Sequence, residues 1–209
     1  MRHRRSEGEV DTARQRPGGR TAQIRRTVLD ATVLELVEHG FRGLTIEGVA
    51  TRAGVNKTTV YRRWRNRESL VVDAVEAFAV EQADVPDTGD VDEDLRRWAH
   101  SIRRTLSGPV SGALVRAVFG GASDSPVVHE LRRRFWLTRS ALVVPLVERG
   151  VARGQLPAGT DAEEVIKHVG APLYYRVLVL DEPLTDHAAE LAAAVTAAAA
   201  RAGVFVTSA

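Results

Sequence analysis

Apolar positions recur every three to four residues along most of this chain, and two-residue alternation is nearly absent. That period lines apolar side chains along one helix face, so the pattern predicts an all-α fold. The first helix is expected from about Thr21 to His39, with Leu29, Val33, Leu36 and Val37 on one face and Gly40 as its stop. A short second helix follows Thr45, which can cap it, while Leu44 staples onto Val49 across the cap. Ile46, Val49, Ala50 and Ala53 form its buried stripe; Gly48 inside it costs up to about 1 kcal/mol relative to alanine. Gly54 ends that helix, Asn56 caps a third, and Val55 with Val60 makes another staple. Only Gly54-Val55-Asn56 separate the two short helices, the spacing of a helix-turn-helix unit.

A fourth helix is expected from Asn66 to about Ala83, with Leu70, Ala74 and Phe78 on one stripe and Val71 and Val75 beside it. Asp84 to Asp90 reads as a loop. Further helices are expected over Val91–Ser107, over Val110–Ala122 and from Pro126 to Gly154, the last kinked near Pro145. Its stripe is Val128, Leu131, Phe135, Leu142 and Leu146. Two more follow, over Asp161–Asp181 with Pro172 inside, and from a cap at Asp186 to Gly203. No repeats appear.

Charge is nearly balanced at +2, but residues 1–70 carry 15 Lys and Arg against 8 Asp and Glu, and the remainder 14 against 19. A basic front on a mildly acidic body points to a local polyanion contact. Residues 1–20 hold six arginines and no apolar period, and are expected as a disordered basic tail. The absence of cysteine excludes disulfides, thiol catalysis and thiolate metal sites. No apolar h-region follows the arginine-rich start, and no apolar run reaches the roughly 18 residues of a membrane span, so a cytoplasmic protein without membrane association is expected.

The charge concentrates in AGVNKTTVYRRWRNRESL, Ala53 to Leu70, which holds no acid before Glu68. With Val60 facing the core, Trp64 falls on the same side as an anchor. Thr58 and Arg62 then point away, flanked by Thr59 and Tyr61, with Lys57 and Arg63 at the sides. A solvated face usually mixes acids with bases; this one is short, polar and cationic, as a helix in a major groove requires. Arginine reads guanine bidentately, threonine meets a thymine methyl or a phosphate, and the Tyr61 hydroxyl suits a phosphate. Arg67 adds charge at the start of the fourth helix.

Val28 to Ala74 resembles the DNA-binding domain of the tetracycline-repressor (TetR) family of bacterial regulators, through VLDATVLELVEHGFRGLTIEGVA, TRAGVNKTTVYRRW and RNRESLV. The resemblance implies phosphate contacts by Thr45, Lys57, Tyr61 and Arg67, with base reading by the third helix. Arg67 stands where the family often has lysine. VERGVARGQLP and APLYYRVLVLDEPLT resemble, more loosely, one class of the family's C-terminal domain. The expected organisation is a basic tail over residues 1–20, a helix-turn-helix DNA-binding domain over 21–66, and a larger helical effector-binding and dimerisation domain over 67–209.

The six histidines never pair at ligand spacing, so no metal or cofactor is expected. No P-loop, GxGxxG or Ser/His/Asp constellation appears, and no enzyme is expected. Trp98, Phe119, Phe135, Trp136, Tyr174 and Tyr175 gather the body's large aromatics. For each, ordinary core is the competing reading; together they are the candidate walls of a pocket for a small apolar ligand, which the resemblance implies. Trp136 is the strongest candidate, because it lies off the apolar stripe and borders Arg132, Arg139 and Ser140; His100 and His129 are candidate polar groups. Leu173, Val177 and Leu180, with Leu191 and Val195, are candidates for a homodimer interface, and the resemblance implies a four-helix bundle there. The reading is a ligand-released repressor on an inverted-repeat operator. An activator or an effector-independent regulator remains open, as does a helical enzyme or scaffold whose basic tail binds RNA weakly.

Overall fold

The computed structural model describes residues 17–120 and 125–207. Nine helices form among them: α1 (Pro17–Gly43), α2 (Ile46–Arg52), α3 (Lys57–Arg63), α4 (Arg67–Glu81), α5 (Val91–Ser107), α6 (Pro109–Phe119), α7 (Pro126–Ala152), α8 (Ala162–Leu178) and α9 (Asp186–Arg201). Extended pairing among the described residues is limited to one bridge, Thr160 to Val206. The all-α expectation stands.

Several boundaries differ. The expected tail lies outside the described residues up to residue 16, but residues 17–20 already form the first turn of α1. A proline is tolerated there because its missing N–H would have no helical partner. Gly40, at φ 64° and ψ 177°, breaks the helical path within α1, and Phe41 to Gly43 add a last turn beyond it. The last helix is capped by Thr185, whose hydroxyl accepts the Ala188 N–H at 3.1 Å; Asp186 is instead its first residue. α7 runs through Pro145 as one helix.

Two hydrophobic groupings hold the helices together. One gathers Val28, Leu36, Leu44, Val49, Val60, Trp64, Leu70 and Val75 from α1–α4 and the links between them. The other gathers Leu95, Trp98, Ile102, Leu146, Val169, Leu173 and Ala193 from α5 and α7–α9. Packing does not divide at residue 66. The stripe of α4 lies wholly in the first grouping, which also takes Leu114 and Val118 of α6 and Leu131 and Phe135 of α7. Phe119 packs against both groupings. α7 therefore contributes to both groupings.

Candidate nucleic-acid interface and effector cavity

The turn that aims α3 is specified residue by residue. The Val55 N–H donates to the Ala50 carbonyl at 3.0 Å and the Gly54 N–H to Thr51 at 3.1 Å, which satisfies the last carbonyls of α2. This closure needs a left-handed residue after the cap, and Gly54 supplies it at φ 64°. Asn56 then caps α3, its Oδ1 accepting the Thr58 N–H at 2.9 Å and the Thr58 hydroxyl at 2.8 Å. Trp64 closes the helix, buried, with Nε1 donating to Asp73 of α4 at 3.0 Å, and Arg25 of α1 reaches the same carboxylate at 3.6 Å. Three helices are thus tied at the end of α3.

A second tie escaped the sequence reading. Glu35 of α1 is buried and accepts from Arg52 Nε of α2 at 2.7 Å; Arg52 also reaches Glu38. This pair explains Gly48: a Cβ there would lie 2.8 Å from Glu35 Oε2. The glycine is a clearance for a buried carboxylate held in place by Arg52. The available signal was an acid at Glu35 beside the apolar stripe of the first helix.

The face of α3 carries the expected cations. Lys57, Thr58, Tyr61, Arg62 and Arg63 are exposed, Thr59 is half-buried, and Thr45 is exposed while its hydroxyl caps α2. Lys57, Arg62, Arg63 and Arg65 make no ion pair with a described residue, whereas Arg96, Arg97, Arg133, Arg134, Arg153, Arg176 and Arg201 of the body all pair with carboxylates. Arg63 lies over the Trp64 ring, 5.7 Å from its centroid. Arg67 differs from these. Its guanidinium sits 4.6 Å over Phe41, donates to Leu44 O at 3.4 Å and pairs with Glu68 at 3.3 Å, bracing the end of α1 against α4.

In the body, a cavity of about 330 Å³ opens between α5, α7 and α8. Trp98 and Ile102, Trp136, Arg139 and Ser140, and Ile166, Gly170 and Tyr174 line it. Of the expected walls, Trp98, Trp136 and Tyr174 are there. Phe119 and Phe135 stand behind them, with rings 5.6 and 5.4 Å from Trp136. Tyr175 is exposed and faces away from the cavity lining, because it follows Tyr174 by one residue, about 100° around the helix. Arg139 is buried at 3% exposure, its guanidinium 4.8 Å over Trp98 and 5.8 Å over Phe135. Burial depresses its pKa and raises that of the Tyr174 hydroxyl, which the neighbouring guanidinium partly offsets. Sequence reading placed Arg139 only beside Trp136. The missed signal was its place on the buried stripe, four residues after Phe135 and four before Val143.

Comparison with known proteins agrees with both halves of this arrangement. Residues 28–74 match the family model described as bacterial regulatory proteins, tetR family, and residues 85–198 match the tetracyclin repressor-like C-terminal domain. The chain belongs to the TetR family. It is 35% identical over 163 residues to the HTH-type transcriptional regulator AqdR of Rhodococcus erythropolis, covering 78% of each chain. Among solved structures it resembles the TetR family transcription regulator SCO0332, with TM-score 0.69, 26% identity and coverage of 84% of this chain and 97% of that one. It also resembles a TetR transcriptional regulator from Agrobacterium tumefaciens, with TM-score 0.67, 27% identity and coverage of 82% and 92%.

This TetR-family protein is therefore a helix-turn-helix, DNA-binding transcriptional regulator. Its family typically acts as a dimer with a ligand-binding C-terminal domain. Not every residue expected at a dimer surface is available to a partner. Leu173 and Val177 are buried in the protomer's own core, against α5 and α9. Leu180, Leu191 and Val195 are exposed, as are Tyr175 of α8 and Val179 just after it. His100 lies near Asp186 and Glu190 at 3.3 and 3.6 Å, outside the cavity lining, and His129 is exposed. Among the described residues, the group that comes to metal-ligand spacing is Glu35, Glu38 and His39, where the Arg52 guanidinium already meets both carboxylates. No described helix is long and apolar enough to cross a membrane.

Proposed function

We propose that this regulator is a homodimeric repressor that sets α3 of each protomer into successive major grooves of an inverted-repeat operator and leaves it when a small molecule fills the body cavity. The observation that carries the DNA reading is the contrast in ion pairing. Seven arginines of the body meet acids, whereas the exposed cations of α3 meet none among the described residues, as a surface that receives phosphates and bases requires. The exposed Tyr175, Val179, Leu180, Leu191 and Val195 support pairing through α8 and α9. Release is supported by the path from the cavity: Trp136 and Arg139 line it, while Leu131 and Phe135 of the same helix pack in the α1–α4 grouping. Arg134 of α7 also pairs with Glu76 of α4 at 3.0 Å.

The test is a titration of labelled duplexes at several salt concentrations. An inverted repeat selected from genomic fragments should bind about 10³-fold or more tightly than a scrambled duplex, with affinity falling steeply with salt. Equal affinity for both duplexes would remove the operator reading.

A further inference from the structure

Arg139 is out of keeping with a cavity for an apolar ligand. Its Nη1 and Nη2 are buried and meet no acceptor among the described residues, and Nε1 of Trp98, the ring it stacks on, is in the same condition. Stacking on Trp98 and Phe135 favours the cation, but a ring face accepts no in-plane N–H. Arginine keeps its proton in proteins, so burial does not neutralise it. Nor does a neighbour: the cavity lining holds no acid among the described residues. Its other cation, Lys167 at the rim, is already paired with Glu164 at 2.7 Å. A methionine or leucine would fill the same volume without a buried charge to compensate. An acceptor entering the cavity that Arg139 lines would supply the partner that the described residues do not.

We propose that the cavity binds a small aromatic carboxylic acid as its anion, the carboxylate paired with Arg139 and supported by Trp98 Nε1, and the ring body packed against the corner that Trp136 and Tyr174 form. A guanidinium offers two parallel N–H donors that match the two oxygens of a carboxylate. One buried cation balances one negative charge, whereas a phosphate dianion would carry a second into walls of Trp, Ile and Tyr. The Trp136 and Tyr174 rings stand edge to face with centroids 5.0 Å apart, a corner that receives a flat body. The volume is at the small end of small-molecule sites. This inference rests on the cavity being the effector site, and it replaces the apolar ligand expected from sequence with an anionic one.

The test uses benzoic, 2-naphthoic and indole-3-acetic acids, each against its primary amide, titrated calorimetrically into the full chain near pH 7.5. At least one acid should bind ten-fold or more tightly than its amide. Arg139→Gln should bring acid and amide within about two-fold while circular dichroism stays unchanged. Without any ligand, Arg139→Met should melt about 2–4 °C higher, because an uncompensated buried charge is removed. Amides that bind as well as acids would overturn the anion proposal and leave the cavity reading intact, as would a preference that survives Arg139→Gln. A lower melting temperature for Arg139→Met would make Arg139 a structural brace and overturn it too. Silence from all three pairs would sink both readings. Acid binding that leaves operator affinity unmoved would support the proposal and sink release.

Discussion

Thr58 and Arg62 occupy the face of α3 that no described residue covers, yet they differ in what they have left to offer. The Thr58 hydroxyl donates to the Asn56 cap, so its methyl group is the part free to meet a thymine methyl. Arg62 donates to no described residue. Arg62→Ala should therefore cost about 1–3 kcal/mol on the preferred operator and relax base choice at one position, read by titrating single-base operator variants. Equal losses on specific and random duplexes would reassign Arg62 to the phosphates. Gly48 allows a sharper test of local packing. In an ordinary helix interior Gly→Ala stabilises by up to about 1 kcal/mol. Here Gly48→Ala should lower the melting temperature, because the new Cβ meets Glu35 Oε2 while Arg52 holds that carboxylate. In a Glu35→Ala background the sign should revert, with a gain of about 2–4 °C. A stabilising Gly48→Ala in the native background would show that Glu35 can move aside at no cost.

α7 is the element on which the two halves of the protein depend, and its surface is braced as well as its core. Glu130 accepts from Arg133 Nη2 at 2.8 Å and Arg134 Nε at 2.7 Å, and Arg134 continues to Glu76 of α4. The hydrogen bond from Arg133, with that from Arg134, holds the Glu130 pKa down to about 2 from the usual 4.5. A depressed folded-state pKa means a contribution that is fully present above the unfolded value. It is lost as pH falls from 4.5 towards about 2. Glu130→Gln should thus melt below the native protein at pH 7, and the gap should close as pH approaches 2. These charges are exposed, so the gap should be small and shrink in high salt. A gap independent of pH would mean that the substitution disturbs packing rather than charge. The same helix links cavity to DNA-binding unit through Phe135, four residues before Arg139.

At the scale of the whole molecule, two recognition helices must stand roughly 34–36 Å apart to enter successive major grooves. One protomer holds a single such helix among its described residues, so the proposed inverted-repeat binding takes two protomers. Val195→Glu places a charge on an exposed apolar residue of α9 that makes no contribution to the protomer's buried core. It should leave the melting of the protomer nearly unchanged, shift the sedimenting species from dimer to monomer, and reduce binding to the full inverted repeat far more than to a half-site. A variant still dimeric would move the interface away from α9. If release works through spacing, a ligand with a coupling of about 1–3 kcal/mol weakens operator binding about 5–150-fold, and operator weakens the ligand by the same factor.

Local sequence determined the helices and the turn between α2 and α3, because their causes are local. Thr45, Asn56 and Asn66 cap from their own positions, and Gly54 alone suffices for the left-handed step. The outward face of α3 followed from helical spacing once Val60 was set inward. The family was legible for the same reason, since its motif lies in one continuous stretch of these elements. Tertiary structure decided whatever depends on residues far apart in the chain. Glu35 meets Arg52 across 17 positions and thereby gives Gly48 its purpose. Leu173 and Val177 share an apolar pattern with Leu180, and only the packing of α5 and α9 shows that the first two are already covered. Arg139 is the clearest case. Its place on an apolar stripe was written in the sequence, but its want of an acceptor is a property of α5, α7 and α8 together, since a buried charge is judged by everything that surrounds it.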